Sequence, residues 1–294
     1  MEFNSRKLLS LAAITLSLVL CSSATQARVQ EPVPVYEDHL SIGPGITFGS
    51  APYIGHDGTY SFLPTFSFQW GNLFGYNNHD EPLVGFELFR HKRIMFGLAV
   101  TSGRTFLDLE NISADMEELY WGIDENRDRA YEAGFIFRFF SRVGLVEIKA
   151  FHDVVSTYSG PRSSISWSRP FPDTGNWSII PRMFIKHYGN KYNTYYYQVT
   201  EAENEAAESY VIEKYGAGED DANIDYYQTI TRPQYEPGNS GHVGFDLTVE
   251  YSISDKLTAT GYLAIEKFSG EIETSPLIED KELILGNIGL RYNF

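Results

Sequence analysis

The sequence has almost no cysteine, and it has no long apolar segment beyond its first residues. Cys21 is the only cysteine among 294 residues, which excludes a disulfide framework and a thiolate metal site. Outside residues 8–20, no run approaches the roughly 18 apolar residues that a transmembrane helix needs. A membrane helix is therefore not predicted for this chain.

Basic residues are scarce relative to acidic ones. The chain has 23 Lys and Arg against 39 Asp and Glu, for a net charge of −16. Nucleic acid is therefore not an expected partner, because phosphate binding needs a basic surface. The seven histidines have no paired ligand spacing, and no acidic segment has the spacing of a calcium loop. The sequence predicts neither a metal site nor a cofactor.

The first residues have the features of a secretory signal. Arg6 and Lys7 precede a short apolar run at residues 8–20, and small residues lead to Ala27. We therefore predict a cleaved signal peptide at residues 1–27. A lipoprotein signal at Cys21 is the alternative, but Leu20 stands where such a signal has a small residue. The Pro-rich residues 28–38 are expected to form an extended N-terminal segment. It would lie in the periplasm or, if the rest of the chain forms a barrel, in the lumen of that barrel.

Aromatic residues are abundant, with 20 Tyr, 20 Phe and 4 Trp, and many of them lie in alternating segments. Alternation of apolar residues with polar or small ones is typical of strands that bury or expose a single face. The segment 243–253 shows this most clearly. Its apolar positions are Val243, Phe245, Leu247, Val249, Tyr251 and Ile253.

About twelve such segments lie between residues 39 and 294. Their connections are alternately short, as at 71–72 and 254–255, and long, as at 103–128 and 188–239. Short turns at one end and long loops at the other are typical of an outer-membrane barrel. We therefore predict an all-β fold, a closed antiparallel transmembrane β-barrel of about 12 strands with short periplasmic turns and long extracellular loops. A soluble β-sandwich is the alternative.

The last ten residues, "LGNIGLRYNF", alternate in the same way. Closure of the barrel predicts that this strand pairs with the first one, so that no edge is left open. Its apolar residues would face lipid, and they resemble the C-terminal signal that the barrel-assembly machinery recognises. The residues of this predicted assembly signal are Ile288, Leu290, Tyr292 and Phe294.

Charged residues on the opposite faces of the strands are expected to face the lumen. They could line a conducting pore, but in a narrow barrel they could equally pair and fill it. We favour pairing. The lumen-facing candidates are Glu132, Arg138, Asp246, Glu250, Glu266 and Arg291.

The loops are predicted to be acidic and exposed. Their carboxylates could bind divalent cations that bridge lipopolysaccharide. Thr200 and Glu203 form a capping-box pattern, which predicts a short helix that ends near Gly216. The Tyr-rich segment 192–199 could bind sugars, but we interpret it as part of an aromatic girdle at the membrane interface.

An enzyme is not predicted. Some outer-membrane barrels hydrolyse lipids with a serine and a histidine, and the candidates here are His152 with Ser156 and His242 with Ser240. Neither pair lies in a recognisable motif. No catalytic residue is therefore assigned.

The ordered motifs of the chain resemble those of the MipA/OmpV family, the MltA-interacting protein family. The resemblance is carried by "LSIGPGITFGSAPYIGHDGTYSFLPTFSFQWGN" (40–72), by "TYYYQVTEAEN" (194–204), and by "SPLIED" and "GLRYNF" near the end. It covers nearly all of the chain after residue 27. The acidic first large loop and the Asn-rich "GYNNHDEP" depart from the usual pattern.

The resemblance implies a bacterial outer-membrane scaffold without catalytic residues. Family members are expected to link a murein lytic transglycosylase and a murein synthase, with outer-membrane lipid and lipopolysaccharide as surroundings. A narrow small-solute channel and a surface adhesin are the alternatives.

Overall fold

The computed structural model describes residues 38–56, 58–77, 81–103, 107, 109, 112, 117–123, 125–172, 175–216 and 231–294. The predicted signal peptide and all but the last residue of the predicted N-terminal segment lie outside the described residues, so both stay predictions. In the described part of the chain, no helix is both long enough and apolar enough to cross a membrane.

All strands belong to one antiparallel sheet that closes on itself. The last strand, β14, pairs with both β1 and β2, as Ile42 opposite Tyr292 and Ile46 opposite Ile288 show. The strands are β1 His39–Gly43, β2 Gly45–Gly49, β3 Thr59–Phe62, β4 Thr65–Trp70, β5 Leu73–Tyr76, β6 Leu83–His91, β7 Ile94–Ser102, β8 Tyr131–Ser141, β9 Gly144–Asp153, β10 Pro161–Ser168, β11 Trp177–Tyr188, β12 Ser240–Ser254, β13 Leu257–Lys267 and β14 Glu282–Asn293.

Two prolines explain why twelve wall crossings are divided into more strands. Pro44 separates β1 from β2, and Pro64 separates β3 from β4, because proline has no N–H to donate to a ladder. Strand β14 still bonds to the backbone at the first of these breaks, because the Leu290 N–H donates to the Pro44 carbonyl over 3.0 Å. The predicted closed barrel of twelve strands is confirmed, as is the pairing of the last strand with the first.

Side chains alternate across the wall as the sequence predicts. In β12 the outward Val243 is 56% exposed, whereas the inward Asp246 is 1% exposed. In β8 the outward Tyr131 and Phe135 are exposed, and Glu132 and Ile136 between them are buried. The barrel therefore has an apolar outer surface and an interior in which polar side chains are shielded from water.

The two ends of the barrel differ in their connections. Two-residue turns at 71–72, 92–93, 142–143 and 255–256 define the short-turn end, where residues 169–176 form the longest connection. The opposite, long-loop end contains helices α1 Asn190–Tyr197, α2 Glu201–Tyr215 and α3 Gly270–Glu273, and a 3-10 helix at Glu117–Tyr120.

Helix α2 begins and ends as predicted. The Thr200 side chain accepts a hydrogen bond from the Glu203 N–H, and Glu203 accepts one from the Thr200 N–H over 2.7 Å. The helix ends at Gly216, whose φ of 61° is in the left-handed region that favours glycine. The predicted capping box is therefore confirmed.

Candidate functional site

The barrel interior contains the six charged residues that the sequence singles out, and each has an ionic partner there. Asp246 accepts from the Arg182 Nε over 2.7 Å, and Glu250 accepts from Arg291 over 2.5 Å. Arg138 donates to Glu147 over 2.6 Å. The remaining two candidates, Glu132 and Glu266, belong to larger networks.

Glu132 lies in a network that reaches across the barrel. It is 1% exposed, and it accepts hydrogen bonds from the Tyr158 hydroxyl and the Arg162 guanidinium. Arg162, on β10, also donates over 2.7 Å to Glu81, which lies in the connection between β5 and β6. One buried guanidinium on β10 therefore joins two carboxylates, one from β8 and one from the connection between β5 and β6.

Glu266 on β13 connects two further strands. Its carboxylate accepts from the Lys186 Nζ over 2.6 Å and from the His242 Nδ1 over 2.7 Å. The His242 ring packs between the rings of Tyr188 and Phe268, with centroid distances of 4.5 and 4.6 Å. The base of the long-loop end is thus formed by an ion pair next to aromatic rings.

Several partners were not singled out from the sequence, although the signal was present. Arg182, Phe184, Lys186 and Tyr188 alternate along β11 with exposed Met183 and Ile185, which is the same period-2 pattern that identified the six candidates. The identity of each partner was not readable, because it depends on the register and stagger of the barrel.

The interior is not uniformly polar. Beside β5 to β9 it contains a cluster of buried apolar residues, and the Arg138 guanidinium lies 5.2 Å above the Phe74 ring. The residues of this cluster are Phe74, Leu83, Met95, Ala99, Ile136 and Phe151. Ion pairs and apolar side chains together fill much of the barrel interior, as expected for a narrow barrel.

A second apolar cluster, here called the loop-end core, lies at the long-loop end. It is rich in tyrosine and combines residues from five connections with the ends of the strands. Its members are Tyr53, Leu107, Tyr120, Ile123, Ala130, Tyr158, Tyr188, Tyr192, Tyr196, Tyr197, Val199, Phe268, Ile272 and Leu277.

The loop-end core corrects the interpretation of the Tyr-rich segment 192–199 as a membrane girdle. Most of this segment forms helix α1, and Tyr192, Tyr196 and Tyr197 are at most 3% exposed. Their hydroxyls and backbone are used inside the core, as when the Tyr53 hydroxyl donates to the Tyr196 carbonyl over 3.1 Å. The girdle prediction is wrong because these rings pack on each other and not on lipid.

Burial changes the acid–base properties of the loops. Desolvation raises the pKa of Tyr53 and of Tyr196 well above its ordinary value. Desolvation and then the Glu132 carboxylate raise the pKa of Tyr158. In contrast, desolvation lowers the pKa of Arg232 to about 10. The loop-end core therefore favours the neutral form of Tyr53, Tyr158 and Tyr196.

A cavity of about 130 Å³ lies inside the barrel at the level of the loop-end core. Aromatic residues of the core and charged residues of the interior both line it, among them Tyr188, Phe268, Arg162, Lys186 and Glu266. It has room for a small guest molecule.

Neither serine–histidine pair forms a catalytic arrangement. His242 Nδ1 is engaged by Glu266, and the Ser240 hydroxyl donates to Asn193 over 3.2 Å. His152 Nδ1 donates to the Asp153 carbonyl. In the described residues no hydrogen bond joins either serine to its histidine, and no group of three His, Cys, Asp or Glu side chains could hold a metal ion.

The predicted assembly signal lies on the outer surface of β14. Ile288 is 65% exposed and Phe294 is 76% exposed, with Leu290 and Tyr292 between them at 41% each. The Tyr292 and Phe294 rings pack edge to face with centroids 4.9 Å apart. Recognition of this strip by the assembly machinery stays a prediction.

Comparison with known proteins agrees with this architecture. The family model described as "MltA-interacting protein MipA" matches residues 42–294. An Escherichia coli O157:H7 protein described as "Putative outer membrane protein YiaT" is 23% identical over 255 residues, which are 87% of this chain and 91% of the relative. The corresponding protein of Escherichia coli (strain K12) is 22% identical over the same shares.

Solved structures with a similar arrangement are also outer-membrane proteins. A channel from Pseudomonas putida F1 covers 92% of this chain and 98% of its own, with 9% identity and a TM-score of 0.39. An anion-selective porin from Comamonas acidovorans covers 88% and 99%, with 9% identity and a TM-score of 0.33. At these scores the likeness carries no argument about function.

Proposed function

The chain belongs to the MltA-interacting protein MipA family, and we propose that this outer-membrane barrel is a closed, non-enzymatic docking scaffold for murein enzymes. The observation that carries the proposal is the filled interior. Ion pairs and apolar side chains occupy the barrel interior, and the loop-end core covers it from the long-loop side. A barrel so filled is better suited to anchoring partners than to conducting solutes.

The charge of the short-turn end supports docking on the periplasmic side. Lys92, Arg93, Arg142 and Lys256 are exposed in the two-residue turns, together with Asp255. The two-residue turns are therefore basic although the whole chain has a charge of −16. A basic rim would attract and orient an acidic surface of a periplasmic partner.

The partners that we propose are a murein lytic transglycosylase and a murein synthase. The description of the family names the first kind of interaction, and the exposed basic turns offer a surface for it. Contact through the predicted N-terminal segment 28–38 would extend that surface. Lipopolysaccharide and outer-membrane lipid would contact the apolar outer wall and the acidic loops.

Co-purification tests the proposal directly. The protein, tagged near residue 30, is extracted in mild detergent, and co-eluting envelope proteins are identified against an unrelated twelve-stranded barrel. We expect specific enrichment of a lytic transglycosylase or a murein synthase. An eluate equal to that of the control barrel would contradict the scaffold role.

A matched pair of variants assigns the docking surface. One variant replaces Lys92, Arg93, Arg142 and Lys256 by Gln, and the other replaces the exposed Glu201, Glu205, Glu208 and Glu213 of α2 by Gln. We expect the first to lose most of the captured partner and the second to retain it. Equal capture by both would show that the short turns are not the docking surface.

A narrow solute channel is the second candidate, and the internal cavity is the observation in its favour. Conduction would require a path for the solute past the ion pairs and through the loop-end core. Steady single-channel conductance of the native protein in planar bilayers would support this candidate. Silent bilayers with folded protein would exclude it.

A further inference from the structure

The cavity at the level of the loop-end core has the size of a very small organic molecule. Its volume is about 130 Å³, and an apolar cavity of roughly 150 Å³ in another protein is large enough to bind benzene. A guest of six to eight non-hydrogen atoms is therefore within its capacity. The same volume would hold about four water molecules at ~30 Å³ each.

One wall of the cavity is a continuous stack of rings. Tyr192 packs on Tyr188 at a centroid distance of 4.4 Å, Tyr188 on His242 at 4.5 Å, and His242 on Phe268 at 4.6 Å. All four residues line the cavity. Such a wall offers flat apolar faces, which favour a guest that is itself a flat ring.

The charges that line the cavity include two close pairs. Arg162 is bound to Glu81 at 2.7 Å, and Lys186 is bound to Glu266 at 2.6 Å. The other cationic side chain of the lining, Arg129, is exposed to solvent. An ionic guest among the two buried pairs would add a charge where the charges already compensate each other, and that is costly. The lining therefore favours a neutral guest.

The paired carboxylates still have acceptor capacity. A carboxylate has about four lone-pair positions, and Glu266 accepts from two groups, Lys186 and His242. A guest with a hydroxyl group can donate to such an oxygen without adding charge. At the wall of the barrel the cavity extends to Ser61 and Leu63, which adds a further hydroxyl and an apolar side chain to the lining.

We propose that this cavity is a binding site for a small neutral molecule that combines a flat apolar ring with a hydroxyl group, that is, a compound of the phenol class. The site is independent of the proposed docking surface, because it lies at the level of the loop-end core and the basic turns lie at the opposite end. Scaffolding and solute binding can therefore fail or succeed separately.

Calorimetric titration of the full chain in detergent tests the class of ligand. Three probes are compared. Phenol has both the ring and the hydroxyl group, benzoate has the ring with a negative charge, and glycerol has hydroxyl groups without a ring. We expect saturable binding of phenol and at least tenfold weaker binding of the other two. Benzoate binding as tight as that of phenol would overturn the neutral assignment, and equally tight glycerol binding would overturn the aromatic one.

A matched pair of substitutions on β14 tests the location. Leu285 faces the cavity, whereas Leu290 faces outward on the same strand. We expect Leu285→Trp to fill the cavity and weaken phenol binding at least tenfold, and Leu290→Trp to leave it within twofold. Unchanged binding by folded Leu285→Trp, or no binding of phenol to the native protein, would overturn the proposal.

A second variant keeps the test decisive if Leu285→Trp does not fold. Phe268→Leu removes one ring of the stack and retains an apolar side chain of similar length. Folding of each variant is checked by heat-dependent migration of the barrel in gels. We expect Phe268→Leu to weaken phenol binding severalfold, and binding equal to that of the native protein would contradict the role of the aromatic wall.

Discussion

At the short-turn end most strands are joined by only two residues, whereas at the long-loop end the connections build a second apolar core. The short turns contain exposed basic residues such as Lys92 and Arg142. The long loops contain buried tyrosines, with Tyr53 and Tyr196 each 1% exposed, and exposed acidic residues on α2. The two ends thus differ in length, in packing and in the sign of their charge.

This difference indicates that the long-loop end contributes mainly to the folded core and that the short-turn end is available for interaction. At the long-loop end the aromatic residues are buried against each other and cover the barrel interior. Those loops are therefore part of the folded core. The short turns have little to bury, and changes there should leave the barrel intact. The end with the least structure is therefore the one most available to a partner.

The largest expected effect on stability comes from breaking the buried network of Arg162, Glu132 and Glu81, which lies near the long-loop end. Arg162→Met leaves the carboxylates of Glu132 and Glu81 without their cationic partner, which should lower the free energy of unfolding by about 3–5 kcal/mol. Urea unfolding in lipid vesicles measures the change. Adding Glu132→Gln to this variant should restore part of the loss.

The matched control for that prediction lies at the other end. Arg142→Met removes an exposed guanidinium from a two-residue turn, and the free energy of unfolding should change by less than about 0.5 kcal/mol. Equal losses for Arg142→Met and Arg162→Met would erase the distinction between the two ends.

Alkaline pH should weaken the long-loop end selectively. Burial raises the pKa of Tyr53, Tyr120, Tyr158 and Tyr196 from an ordinary value near 10. Their contribution to stability is complete below pH ~10 and is lost as the pH rises further, because the unfolded chain then releases protons that the folded chain retains. Each tyrosine accounts for a slope that approaches about 1.4 kcal/mol per pH unit at a pH well above 10.

Tyr53→Phe sharpens the alkaline prediction. The slope of unfolding free energy against pH, measured from pH 10 to pH 11, should become shallower by about 1 kcal/mol per unit, because the unfolded tyrosine is already half ionised at pH 10. The lowered pKa of Arg232, about 10, makes stability rise with pH in the same range. Its contribution is that of one group, whereas four tyrosines act in the other direction. Tyr60→Phe, on the exposed outer face, is the control, and an equal effect of both would contradict the account.

A smaller effect is expected at the start of α2. Thr200→Ala removes one half of the capping box, which should cost about 1 kcal/mol of local stability. Hydrogen exchange of the α2 amides should therefore quicken, while exchange in the strands stays unchanged. Ser209→Ala, exposed on the same helix, should leave the exchange rates of α2 as they are or slow them.

Sequence alone predicted the barrel well because a membrane wall imposes a simple pattern. Successive side chains of a strand face lipid and lumen in turn, so Val243 is outward and Asp246 is inward. Connections along the chain are likewise short and long in turn. The closing pair of strands followed from the need to leave no open edge. These constraints are local or topological, so they can be read from one chain.

The interior was only half predictable. Inward residues such as Glu266 follow from alternation, and its partner His242 lies on the adjacent strand of the same hairpin, but Lys186 comes from a strand that the sequence does not place beside it. Helix α1 was missed because its tyrosines also fit a membrane girdle. Its Tyr192 and Tyr196 are four residues apart, as on one helix face, and only the surrounding loops reveal which surface they cover.

Single-channel recording of the purified native protein in planar bilayers tests the central claim most directly. A barrel filled by ion pairs and covered by the loop-end core should give no steady conductance at low voltage. Deletion of residues 190–235 is the informative companion, since it removes α1 and α2 but leaves the interior pairs. Silence from the native protein is the predicted result, and sustained unitary steps from it would contradict the closed scaffold.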